Sequence, residues 1–83
     1  MVPEYVIVTL QSESGTFWGD YRLPTGVPIG TLYPLLTQAL EDRLENGTVT
    51  GLSAGGYILA DTRTLADHAI WDGSILTVRE VAE

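Results

Sequence analysis

Apolar and polar positions alternate at both ends of the chain and recur at every fourth position in its middle. Residues 5–10 are β-branched and aromatic, the composition of a pleated, half-buried strand. With a period of two, Val6, Val8 and Leu10 face a core while Tyr5, Ile7 and Thr9 face the other way. A polar turn at 11–15 leads into residues 16–23. There Tyr21 and Leu23 share one side, and Asp20 and Arg22 share the other with Trp18. Gly15 offers the positive φ that longer hairpin loops use, so the two runs read as a β-hairpin.

Residues 24–28 contain two prolines and a glycine and end this pattern. Leu32, Leu36, Leu40 and Leu44 then recur four apart, with Ile29, Leu35 and Ala39 widening the stripe. The spacing predicts an amphipathic helix that stops at Asn46-Gly47, with Glu41, Asp42 and Glu45 on its outer face. Pro28 suits a first helical turn. Pro34 removes a backbone bond if the helix starts near Pro28 and is harmless if Thr31 is the N-cap.

The last third holds short strands. Residues 48–53 are weakly strand-like, Gly55-Gly56 turns the chain into 57–59, and 74–79 closes the fold after an Asp72-Gly73 turn. Residues 64–68 predict one helical turn capped by the Thr64 hydroxyl toward Asp67. The order β-β-α-β-β-turn-β predicts an α+β domain of β-grasp type: a mixed four- to five-stranded sheet with one amphipathic helix across it.

Composition narrows the function more than the fold. Eighty-three residues make one domain, 1–83, and 45% apolar content is too high for disorder. Without cysteine there is no disulfide framework, thiolate metal site or cysteine nucleophile, and one histidine, His68, rules out a multi-histidine metal site. No cofactor is expected. Four arginines against eleven carboxylates give a net charge of −7, which repels nucleic acid and anionic lipid. No apolar run approaches the roughly 20 residues of a membrane span, and the first four residues lack the basic region of a signal peptide, so membrane insertion is not expected and the expected address is cytoplasmic.

The stretch Leu59-Ala60-Asp61-Thr62-Arg63-Thr64-Leu65-Ala66-Asp67-His68-Ala69-Ile70 and on to Leu76 resembles the corresponding part of ubiquitin without a gap. The junction from Leu23-Pro24 to Val27-Pro28-Ile29-Gly30-Thr31-Leu32, with the ending Ile70-Trp71-Asp72-Gly73-Ser74-Ile75-Leu76, is more narrowly similar to the small bacterial YukD/EsaB proteins. Those are ubiquitin-like components of type VII secretion systems, and in this chain Ser74 replaces an acid of their ending. The departures from ubiquitin are functional. The sequence ends Arg79-Glu80-Val81-Ala82-Glu83 rather than in Gly-Gly, and it contains no lysine. Conjugation, sulfur carriage and chain building are therefore not expected. The three positions of ubiquitin's main receptor patch align with Ser53, Thr77 and Arg79, so that patch is lost.

The remaining candidates for chemistry are thin. Asp61 and Asp67 are expected as turn and cap carboxylates, and His68 as a surface group in a local hydrogen bond. Gly55-Gly56 lacks the helix and lysine of a phosphate cradle. No enzyme is expected. Apolar residues facing away from the core are more informative. With the first strand between the second and the last, Tyr5, Ile7, Trp18 and Ile75 are expected to form one exposed patch, with Trp71 beside the Asp72-Gly73 turn as a second contact. The implied function is a non-catalytic protein-binding module, a cytosolic accessory or regulator of a type VII secretion system. By the resemblance its partners are secretion-system membrane or ATPase components. A homodimer is another use of the patch. The alternatives are a soluble domain of a larger membrane component, which Met1 disfavours, and an adaptor unrelated to secretion.

Overall fold

The computed structural model describes residues 3–13, 15, 17–44 and 47–82. Thr16, Glu45 and Asn46, which figure in the expected strand and helix ends, lie outside them. Strands β1 (Tyr5–Ser12) and β2 (Trp18–Pro24) form the hairpin. A 3-10 turn (Ile29–Thr31) leads into α1 (Leu32–Ala39). Then follow β3 (Gly47–Ala54), the two-residue β4 (Tyr57–Ile58) and β5 (Ile75–Ala82). The sheet order is β2-β1-β5-β3-β4, with β1 and β5 parallel and every other pair antiparallel. This is the β-grasp arrangement that the element order implies.

Burial follows the period-two reading. Val6, Val8, Leu10, Leu23, Leu76 and Val78 point under the sheet, where Ile29, Leu32, Leu36 and Leu40 meet them. One hydroxyl clasps helix to sheet. Thr37 Oγ1 donates to the Tyr33 carbonyl at 2.8 Å and accepts the Val49 N–H at 2.9 Å.

The helix is shorter than its periodicity implies. It ends at Ala39, and Leu40 caps it at φ −105°, ψ 8°. The Leu44 N–H still reaches the Leu40 carbonyl at 2.9 Å, so leucines four apart fit either a continued helix or this separate turn. Leu35 and Ala39 do not join the stripe and are exposed. Each four-residue step carries a helical stripe about 40° around the axis, which centres the buried face on Leu36 and leaves Leu35 about 100° away. Pro28 precedes the helical turns rather than lying within them, and Pro34 sits in the first turn of α1, where its missing N–H costs nothing. Thr31 occupies the N-cap of α1, but its hydroxyl donates to the Pro28 carbonyl at 2.6 Å and caps nothing.

The segment between β4 and β5 is fastened by local bonds. The Thr64 N–H donates to Asp67 Oδ2 at 3.1 Å and the Asp67 N–H to Thr64 Oγ1 at 3.0 Å, a reciprocal capping box. The turn closes with Ile70 N–H to Leu65 carbonyl at 3.1 Å and Ala69 N–H to Ala66 carbonyl at 3.0 Å, with Ala69 at φ 55°. That is a Schellman ending with alanine in the left-handed position usually given to glycine.

Candidate interaction surface

Which residues stand on the uncovered face follows from backbone register. Ile7 and Thr9 turn their backbone groups toward the segment entering β5: Thr9 N–H donates to the Ser74 carbonyl at 2.9 Å and Gly73 N–H to the Ile7 carbonyl at 2.8 Å. The Ile7 N–H donates to Asp72 Oδ1 at 2.8 Å. Gly73, at φ 89°, gives the chain the left-handed turn that laps it onto β1 at this point. Ile75 therefore lies opposite Thr9 and diagonal to Ile7 on the same face.

The side chains singled out in the sequence are all solvent-facing. Tyr5 and Ile7 are each 51% exposed, Ile75 56%, Trp71 69% and Trp18 71%. They do not form one continuous patch. Tyr5, Ile7 and Ile75 gather at the start of β1, and the Arg22 guanidinium lies 5.0 Å from the Tyr5 ring centre. Trp18 is paired across from Gln11. Between it and the cluster runs a polar band, with Thr9 Oγ1 donating to Asp20 Oδ1 at 2.8 Å and Gln11 Nε2 to Thr77 Oγ1 at 3.3 Å. The alternation rule gives each residue its face but not what fills the rows between strands.

Trp71 follows the turn at Ala69 and precedes Asp72, whose carboxylate holds the Ile7 N–H. With Pro3, Val6, Ala66, Ala69 and Ile70 it lines an apolar cleft of ≈ 470 Å³. Thr25 holds this corner together. Its buried hydroxyl donates to the Pro3 carbonyl, its N–H reaches the Glu4 carbonyl at 2.9 Å, and its carbonyl accepts the Ala66 N–H at 3.2 Å. A threonine in a proline-glycine segment reads as turn chemistry, so the sequence carried no signal for that role. Tyr57 and Ile58 were also missed as exposed residues. Ile58 pairs with Ser53 on the uncovered face, but a two-residue strand offers no period from which to read it. Ser53, Thr77 and Arg79 do share that face, through the Ser53–Thr77 pair and the Gly51–Arg79 pair.

The groups considered for acid–base chemistry are held in local contacts. Tyr33 donates to Asp61 Oδ1 at 2.6 Å. Burial, then the Asp61 hydrogen bond and charge, push the Tyr33 phenol well above its ordinary value, so it stays protonated. The Thr64 backbone N–H holds the Asp67 carboxyl below the usual carboxylate range. His68 Nε2 accepts the Ala60 N–H at 3.1 Å. Among the described residues no three carboxylate or imidazole groups cluster as a metal site, and no helix is long and apolar enough to cross a membrane.

A family model described as "WXG100 protein secretion system (Wss), protein YukD" matches residues 5–78. The chain belongs to the YukD family. No curated protein sequence matches it significantly. Among solved structures, this YukD-family chain is similar to one chain of the MycP5-free ESX-5 inner membrane complex in State II, with 25% identity and a TM-score of 0.73. That match covers 98% of this chain but 22% of the other, so this chain spans about a fifth of that protein's length. It is similar to the ubiquitin-like domain of the Mycobacterium tuberculosis type VII secretion system protein EccD1, with 26% identity, a TM-score of 0.67 and coverage of 89% and 96%. The EccD5 ubiquitin-like domain from Mycobacterium xenopi, at 20% identity and a TM-score of 0.71 over 98% of this chain and 99% of its own, shares the fold. The YukD match ties the chain to type VII secretion, and the fold is ubiquitin-like.

Proposed function

We propose that this YukD-family chain is a single non-catalytic ubiquitin-like domain that docks on protein components of a type VII secretion apparatus at its cytoplasmic side. The observation that carries the reading is the cluster of Tyr5, Ile7 and Ile75 exposed at one end of the uncovered sheet face, with exposed Trp71 lining the cleft beside Val6. Large apolar and aromatic side chains that share a face on a small acidic domain are the usual anchors of a protein interface. Trp18, beyond the polar band, flanks the same face. The partners in this reading are membrane or ATPase components of the secretion system, held by surface recognition without covalent attachment.

A second setting is favoured by one observation: nearly all of this chain matches a fifth of a chain in an inner membrane complex. In that setting the same domain works as part of a longer membrane component, and the same surface is used.

The test is capture of the tagged protein with its partners from native cells after mild cross-linking. Ile7→Ala, Ile75→Ala and Trp71→Ala should each reduce recovery of a secretion-system component severalfold while the domain stays folded, since anchor truncations cost about 1–4 kcal/mol. Unchanged recovery in all three variants overturns the reading.

A further inference from the structure

Strand β2 ends the sheet, and its outer edge is open. Because Ile7 and Thr9 direct their backbone groups toward β5, the alternate residues Val6, Val8 and Leu10 bond β2 through Leu23, Tyr21 and Gly19. The N–H and C=O groups of Trp18, Asp20 and Arg22 consequently point outward, and among the described residues none of them meets a backbone partner. Edge strands of natural proteins are commonly blunted by charged side chains, lysine above all, by a bulge or by an internal proline, and the two charges of β2, Asp20 and Arg22, are opposite in sign. Seven-residue β2 has no lysine, pairs with β1 without a register shift, and has proline only at its last position.

We infer that this edge is a self-association surface, pairing antiparallel with β2 of a second copy about a two-fold axis at Tyr21. That register sets Asp20 opposite the partner's Arg22, Arg22 opposite the partner's Asp20, and Trp18 opposite the partner's Pro24. Opposite charges then face each other twice on the uncovered side, and an indole covers a proline ring at each end. Axes at Asp20 or Arg22 bring like charges face to face. Pro24 lacks an N–H but keeps a carbonyl to accept the Trp18 N–H, so its place at the end of the ladder costs little. On the helix side, half-buried Tyr21 meets itself across the axis, where cross-strand neighbours come closest.

The charged side chains are already ordered by contacts with β1. Asp20 accepts the Thr9 hydroxyl and Arg22 rests on the Tyr5 ring, so little rotamer freedom is left to lose on pairing. Each copy carries a net charge of −7, and salt screens the long-range repulsion between copies. An edge of this length is small for an interface, so the association is weak. It runs along the backbone edge of β2, touches the docking cluster only where Arg22 rests on Tyr5, and stands or falls independently of partner binding.

Sedimentation velocity on the purified protein, from about 10 μM to about 1 mM, reads associations of that strength. The wild type should dimerise. Asp20→Arg and Arg22→Asp alone should each weaken self-association roughly tenfold or more, because each sets like charges opposite one another. An equimolar mixture of the two variants should recover the dimer, since every Arg then faces an Asp. If one variant is unfolded by circular dichroism, the double exchange D20R/R22D rebuilds both pairs within one sequence and should self-associate as the wild type does. A monomeric wild type, or single variants that dimerise as well as wild type, overturns the inference.

Discussion

At Ala69 the chain adopts φ 55° to complete the turn that leads into Trp71. An L-residue with a Cβ pays about 1–2 kcal/mol for that conformation, whereas glycine adopts it freely. Ala69→Gly should therefore stabilise the domain by about 0.5–1 kcal/mol, after allowing for the greater freedom of glycine in the unfolded chain. Thermal unfolding checks this, with a rise of a few degrees expected and an unchanged or lower midpoint counting against the strain. Other details at this scale were open to reading from the sequence. Thr64 and Asp67 stand three apart and cap each other as that spacing predicts. The strain at Ala69 was not legible, because nothing in an alanine marks a left-handed position.

Among the elements, the strands were more legible than the helix. Period two fixes a face unambiguously, and Val6, Val8 and Leu10 are buried while Tyr5 and Ile7 are exposed. Leucines at intervals of four do not fix where a helix stops, since one further turn closes the same Leu44-to-Leu40 bond as a continued helix would. An α-helix of eight residues is too short to persist alone in water, so α1 depends on the sheet beneath it. Thr37 is the bond between them. Thr37→Val keeps the volume but leaves the Val49 N–H without its acceptor, and should lower stability by about 1–3 kcal/mol in chemical denaturation. A loss below a few tenths of a kcal/mol would mean that apolar burial alone holds the helix in place.

For the whole molecule, alternation pointed to which residues stand on the uncovered face but not to how that face is divided. Register across three strands decides that Ile75 neighbours Ile7 and that the Thr9–Asp20 bond separates both from Trp18. Such pairings depend on strand order and stagger, which no single segment encodes. The YukD match ties the chain to type VII secretion, and without lysine the chain offers no side-chain amine on which modifiers could be built into chains. The central claim is that recognition runs through the Tyr5, Ile7 and Ile75 end of the uncovered face. Site-specific photo-cross-linking in native cells tests it most directly, with the reactive side chain placed at Ile7 in one strain and at exposed Gln38 on α1 in another. The account predicts a covalent adduct with a secretion-system component from position 7 and none from position 38. Adducts from position 38 with none from position 7 would contradict it.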